Sequence, residues 1–130
     1  MARVAAAIAA GGRLPAATAV REPTARRSVE NAVIDARTAE AIGGMMRGVV
    51  TRGTARRIAG VFPPIAGKTG TAEIENAPSH AWFIGYAPFG QARRRIAFSI
   101  LLENGGYGGA RATELAGRIV AEARRLGIIG

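Results

Sequence analysis

The spacing of apolar positions changes character along the chain. Ile42, Met45, Met46, Val49 and Val50 fall at offsets of 0, 3, 4, 7 and 8, one face of an α-helix. Asp35 stands ahead of this run as a candidate N-cap. Gly43 and Gly44 lie inside it and should each cost roughly 1 kcal/mol relative to Ala. Met45 and Met46 read as core filler. Residues 53–64 form a loop or ragged helix end. The period then becomes strand-like over residues 65–73, 81–87 and 96–103, joined by polar stretches at 74–80 and 88–95. Short links between successive strands predict an antiparallel meander. The third run, Ile96-Ala-Phe-Ser-Ile-Leu-Leu, is nearly continuous in apolar character, as in a central strand.

Residues 1–12 form an Ala-rich segment ended by Gly11 and Gly12. It imitates a short signal peptide, but its apolar run is too weakly hydrophobic, so a helix with a glycine stop is expected. Residues 13–34 include Pro15 and Pro23 and read as a surface connection, with a short extended piece at 29–34. A glycine-rich loop at 104–109 leads into a last helix carrying Leu115, Ile119, Val120, Ala123 and Leu126 on one side, stopped by Gly127. The predicted fold class is α+β: helix, helix, a three-strand antiparallel sheet, helix.

Composition narrows the function. The 130 residues suffice for one domain, and 48% are hydrophobic, so a core is possible. There is no Cys, which excludes disulfide scaffolds and thiolate zinc sites. No run of apolar residues is long enough to span a bilayer. The net charge is +9, and of the 18 basic residues all but Lys68 are Arg. A composition rich in Arg, Ala and Gly is what a GC-rich coding bias produces. A lone surviving Lys can mark a place where a compact ammonium is required.

Several motifs fail on their context. Gly67-Lys68-Thr69 imitates a phosphate loop, but position 62 is Phe where that motif needs Gly. Glycines at 105, 106, 108 and 109 miss the dinucleotide spacing, because position 111 is Arg, so the loop reads as a flexible turn into the last helix. Arg93-Arg94-Arg95 and the pairs at 26–27, 56–57 and 124–125 carry no interleaved aromatics, leaving nucleic acid as a minor alternative. His80 is the only His and opens a strand. With Glu73, Glu75 and Glu103 scattered, no transition-metal site is expected.

Lys68-Thr69-Gly70-Thr71-Ala72-Glu73 remains. On a strand, Thr69 and Thr71 share a face. Two hydroxyls beside a fixed ammonium would receive a carboxylate, and Gly70 would let a ligand approach the backbone.

This hexapeptide, with the His80-Ala-Trp-Phe-Ile-Gly-Tyr-Ala-Pro88 that follows it, resembles the penicillin-binding protein transpeptidase domain, closest to its class B, monofunctional members. Residues 1–12, 45–54 and 102–106 with the last helix fit the same pattern, so the resemblance covers essentially the whole chain. The family relies on S-x-x-K, S-x-N and K-T-G. Ser28, Ser79 and Ser99 begin neither of the first two motifs. The expectation is therefore the C-terminal portion of such a domain over residues 1–130, beginning at a Met internal to the family's pattern. The N-terminal portion with the nucleophile would be a missing partner.

The resemblance implies roles for the third motif alone. Lys68 would assist proton transfer and attract the substrate carboxylate. Thr69 and Thr71 would bind that carboxylate beside Gly70. The Thr71 backbone N–H would be half of the oxyanion hole. Implied partners are stem peptides ending in D-Ala-D-Ala and β-lactams, with no metal or cofactor and no nucleic acid. By itself the chain is expected not to acylate. The alternative is a non-catalytic module binding D-Ala-D-Ala or a β-lactam. Family members are membrane-anchored and face outside the cytoplasm; this chain shows no anchor or export signal. Without the helices of an N-terminal portion, exposed apolar strand faces and poor solubility are expected.

Overall fold

A computed structural model describes residues 1–14, 16–17 and 31–130. The element order is α1 (Ala2–Ala9), β1 (Arg13–Leu14), β2 (Asn31–Ala32), α2 (Ala36–Thr51), a 3-10 turn (Arg56–Ile58), β3 (Ala66–Ile74), β4 (Ala77–Ala87), β5 (Ile96–Leu102) and α3 (Arg111–Arg125). The α+β class and the helix–helix–meander–helix order are as expected. Pro15, Pro23, the Arg26–Arg27 pair, Ser28 and the start of the extended piece at 29–30 lie outside the described residues. Asn31–Ala32, the middle of that piece, pair antiparallel with Arg13–Leu14, a two-residue ladder that no sequence period announces.

Asp35 caps α2. Its carboxylate accepts from the Thr38 backbone N–H (2.8 Å) and the Thr38 hydroxyl (2.5 Å), satisfying one of the open amides of the first turn. Those two bonds hold the Asp35 carboxyl below the usual carboxylate range. Met46 and Val50 are buried as the helical face predicts, but Met45 is 65% exposed. It lies one step round the helix from the buried stripe, so it is not core filler.

The three main strands form an antiparallel sheet in the order β3-β4-β5. The sequence predicted a central β5; β4 is central instead. The apolar run of β5 has another cause, because helices pack against both of its faces: α1 on one and α3 on the other. β4 starts at Ala77, four residues before its predicted start. Asn76 adopts a left-handed conformation (φ 57°), so the chain reverses at once and residues 77–80 pair back onto β3. His80 therefore lies within the strand rather than opening it.

Register assigns the two faces. Gly67, Thr69 and Thr71 lie opposite Gly85, Phe83 and Ala81 on the rear face. There Ile65, Phe83, Ile100, Val50, Ala112, Ala116 and Val120 form the main core with α3. Ala66, Lys68, Gly70 and Ala72 lie opposite Tyr86, Ile84, Trp82 and His80 on the front face. A smaller cluster of Met46, Ala66 and Tyr86, joined by Ile8 and Ile42 of α1 and α2, covers one end of it.

The last helix is rotated from its predicted orientation. Ile119 and Leu126 are exposed at 39% and 57%, while Ala112, Thr113, Ala116, Gly117, Val120 and Ala123 are buried. A Cβ on Gly117 would stand 2.8 Å from Ile58 Cγ2. Close approach of α3 to the 3-10 turn thus selects glycine at 117; of the predicted face Val120 and Ala123 are buried and Leu115 packs against the core, while Ile119 and Leu126 are left outside.

Candidate functional site

Among the described residues β3 is an edge strand of the sheet, and its outer backbone edge pairs with no other strand there. Residues 68–71 lie in its middle. What fixes them there is the fit of the rear face. A Cβ on Gly67 would lie 2.2 Å from Phe83 Cζ, so the ring of Phe83 occupies the space a side chain would take. Phe83 in turn stacks on Phe98 at 6.0 Å between ring centroids. Gly67 is thus a packing residue, and no phosphate cradle forms.

The four motif residues are divided between two faces. Lys68 is exposed on the front, and its Nζ donates to the Thr69 carbonyl at 2.7 Å. Thr69 points to the rear and is only 7% exposed; its Oγ1 lies 2.6 Å from Thr54 Oγ1. Thr71, also to the rear and exposed, accepts from the Gly108 N–H at 3.3 Å. The hydroxyls share a face, as alternation predicts. The ammonium does not stand beside them on that face; it bends round the strand edge from the other side. A cavity of about 300 Å³ opens along this strand, lined by Lys68, Gly70, Ala72, Trp82, Ile84 and Met1 among others.

The glycine-rich loop is not a free turn. Gly106 N–H donates to Ser79 O (2.8 Å), Asn104 N–H to His80 Nδ1 (3.0 Å), and the buried Thr113 hydroxyl to Gly108 O (3.3 Å). A Cβ on Gly108 would meet Gly70 O at 2.0 Å. Only a residue without a side chain can lie flat against the strand pair at that point. His80 is half-buried and serves this loop, consistent with a structural role.

The basic surplus is partly engaged within the chain. Arg47 donates to Ile65 O (2.8 Å), Arg95 to Ala9 O (2.7 Å) and to Gly90 O, and Arg124 lies over the Phe62 ring at 4.7 Å. Arg125 pairs with Glu122, raising the arginine's pKa and holding the carboxyl below its usual range. Tyr86, at the covered end of the front face, has its hydroxyl pKa pushed up by burial, against an opposing pull from Arg95. Among the described residues no three His, Cys, Asp or Glu side chains gather as a metal site.

Residues 1–121 match the family model of the penicillin binding protein transpeptidase domain. The chain belongs to this family. It is 42% identical over 79 residues to the peptidoglycan D,D-transpeptidase PbpA of Mycolicibacterium smegmatis, a match covering 54% of this chain and 15% of that protein. Among solved structures it is similar to the D,D-transpeptidase domain of a peptidoglycan glycosyltransferase from Eggerthella lenta. That match has a TM-score of 0.73 and 30% identity, covering 96% of this chain and 32% of the other. It is also similar to penicillin-binding protein A from M. tuberculosis in an imipenem acyl-enzyme complex. The TM-score is 0.69 with 27% identity, over 95% of this chain and 29% of the other. The chain thus spans about a third or less of these relatives. The K-T-G residues lie on a strand, as expected.

Two residues at this edge escape sequence reasoning. Thr54 follows the end of α2 in a stretch with neither helical nor strand period. Gly108 belongs to a loop whose glycines fit no ligand-binding spacing. The G-T pair at 53–54, within a segment already typical of the family, is the one signal that could have singled out Thr54.

Proposed function

We propose that Lys68, Thr69, Gly70 and Thr71 form one wall of a peptidoglycan D,D-transpeptidase site, which β-lactams also enter. In this reading the chain is the C-terminal portion of the transpeptidase domain, and the reactive serine comes from residues outside the sequence in hand. The observation that carries it is the edge of β3, unpaired among the described residues, where Lys68, Thr69, Gly70 and Thr71 together line an open cavity.

Each group has a chemical task. The terminal carboxylate of an acyl-D-Ala-D-Ala peptide takes hydrogen bonds from the Thr69 and Thr71 hydroxyls, with the Lys68 charge nearby. The penultimate carbonyl lies along the strand, where the Thr71 N–H stabilises the oxyanion formed on attack by the serine. The C–N bond to the terminal D-Ala breaks, and the leaving amine takes up a proton that Lys68 helps deliver. The acyl group then passes to an acceptor amine. An Arg at position 68 would not release a proton near neutral pH. Peptidoglycan chemistry puts this work outside the cytoplasm. Among the described residues no helix is long and apolar enough to cross a membrane.

Fluorescent penicillin tests the reading. The chain alone should take no covalent label, since none of its serines begins S-x-x-K. Joined to the S-x-x-K and S-x-N portion of a relative's domain, it should be labelled, and Lys68→Ala should slow labelling about a hundredfold or more. Labelling of the chain alone, or full labelling of the Lys68→Ala fusion, would overturn it. The wall is built from this chain's own residues, which also supports a weaker reading as a non-covalent D-Ala-D-Ala binding module. Millimolar titration of the chain with the peptide decides that second reading.

A further inference from the structure

We infer that Thr54 is a positioning residue for the Thr69 hydroxyl: it supplies the hydrogen bond that leaves Thr69 free to donate to an anionic ligand. This rests on the reading of residues 68–71 as a carboxylate-binding wall.

The argument is one of counting protons. A threonine hydroxyl has a single proton to give and two lone pairs to receive with. To donate to a carboxylate and hold one orientation, it needs a donor behind it. Thr71 has such a donor in the Gly108 N–H, a group that can only donate, at 3.3 Å from Thr71 Oγ1. Thr69 has no amide in that place. It has the Thr54 hydroxyl at 2.6 Å, a contact in which either oxygen can donate. In the free protein both proton orders are open. A bound carboxylate selects one of them, Thr54 O–H to Thr69 Oγ1 and Thr69 O–H to the ligand, and such chained hydrogen bonds strengthen one another.

The backbone holds Thr54 for this task from both sides. Gly53 and Ala55 N–H both donate to Val49 O at 3.1 Å, closing the end of α2 around it. A Cβ on Gly53 would lie 2.9 Å from Val49 backbone atoms, so the turn is too tight for any other residue. From the other side, a Cβ on Gly109 would stand 3.1 Å from the Thr54 carbonyl oxygen. The side chain of Thr54 is exposed and that of Thr69 is not, so Thr54 is no part of the core. Its hydroxyl is what it contributes.

The test uses the whole chain with Thr54→Val, which removes the hydroxyl and keeps the shape, and Thr54→Ser, which keeps the hydroxyl. Three-bond couplings to the Thr69 methyl should report one χ1 rotamer in the parent chain, averaging in Thr54→Val and a single rotamer again in Thr54→Ser. Binding is read by titrating an acetyl-D-Ala-D-Ala peptide and its methyl ester. Thr54→Val should weaken the acid about fivefold, leave the ester unchanged, and be rescued by Ser. Thr54→Ala repeats the test if Val distorts the turn, with the amide spectrum reporting the fold. A single Thr69 rotamer in Thr54→Val, or equal losses for acid and ester, would overturn the inference. If the parent chain binds neither ligand, the non-covalent reading falls, and the couplings alone decide whether Thr54 orients Thr69.

Discussion

The two faces of the main sheet are built on opposite terms. On the rear, Phe83 is fully buried, stacks on Phe98, and fills the space above Gly67, so strand, ring and α3 fit with no room to spare. On the front, the cluster around Tyr86 covers only one end; beyond it Lys68, Trp82 and Ile84 line an open cavity. Both faces belong to the same three strands. The difference shows how the sheet presents its edge: the rear packing locks the register and position of β3, with Thr69 and Thr71 on that locked side, while Lys68 and Gly70 stand on the open side.

The comparison is broken first at Phe83. Phe83→Ala should lower stability by about 3–5 kcal/mol, the range for emptying a buried aromatic site. Urea unfolding followed by circular dichroism reads it directly. A loss under about 1 kcal/mol would mean that the rear face is not the side that holds β3.

Gly67→Ala approaches the same packing from the opposite direction. The added methyl would sit 2.2 Å from Phe83 Cζ, so ring or strand must move. The cost should be about 1–3 kcal/mol, typical of overpacking. Gly70, on the front, offers the control: a Cβ there meets only Trp82 Cβ, at 3.3 Å. The same melts should therefore show Gly67→Ala well below Gly70→Ala in midpoint. Equal midpoints would erase the distinction between the faces.

How much of this could be read from the chain follows the same division. Local chemistry was legible: Asp35 caps the helix that the 0, 3, 4, 7, 8 spacing announces, and K-T-G sits on the strand that the period change announces. What failed depends on which element lies opposite. The periodicity of α3 gives weight to Ile119 and Leu126, whereas the close approach to Ile58 admits only glycine at 117 and turns those two residues outward. β5 looks like a central strand because α1 and α3 sandwich it, a fact about neighbours rather than about order in the sheet. At the site, alternation placed Thr69 and Thr71 together and says nothing of Thr54, fifteen positions earlier, which only the closure of the α2 turn brings within 2.6 Å.

The smallest effect is expected at Asp35, and it separates the faces by pH. Asp35 starts α2, which supplies Met46 and Ile42 to the covered end of the front face, and its carboxyl titrates below the usual range because Thr38 bonds the charged form. A carboxyl with a depressed folded-state pKa contributes stability that is present above its unfolded value, about 3.9. That contribution is lost as pH falls through the lower folded value. Asp35→Asn keeps a good cap without the charge. The parent chain should therefore melt slightly above Asp35→Asn at pH 7, with the gap closing as the pH drops below about 4. The rear cluster is made of uncharged side chains, so the penalties of Phe83→Ala and Gly67→Ala should stay flat over the same range. A gap for Asp35→Asn that stays constant from pH 7 to pH 2 would mean that the cap works through shape alone and that charge has no part in it.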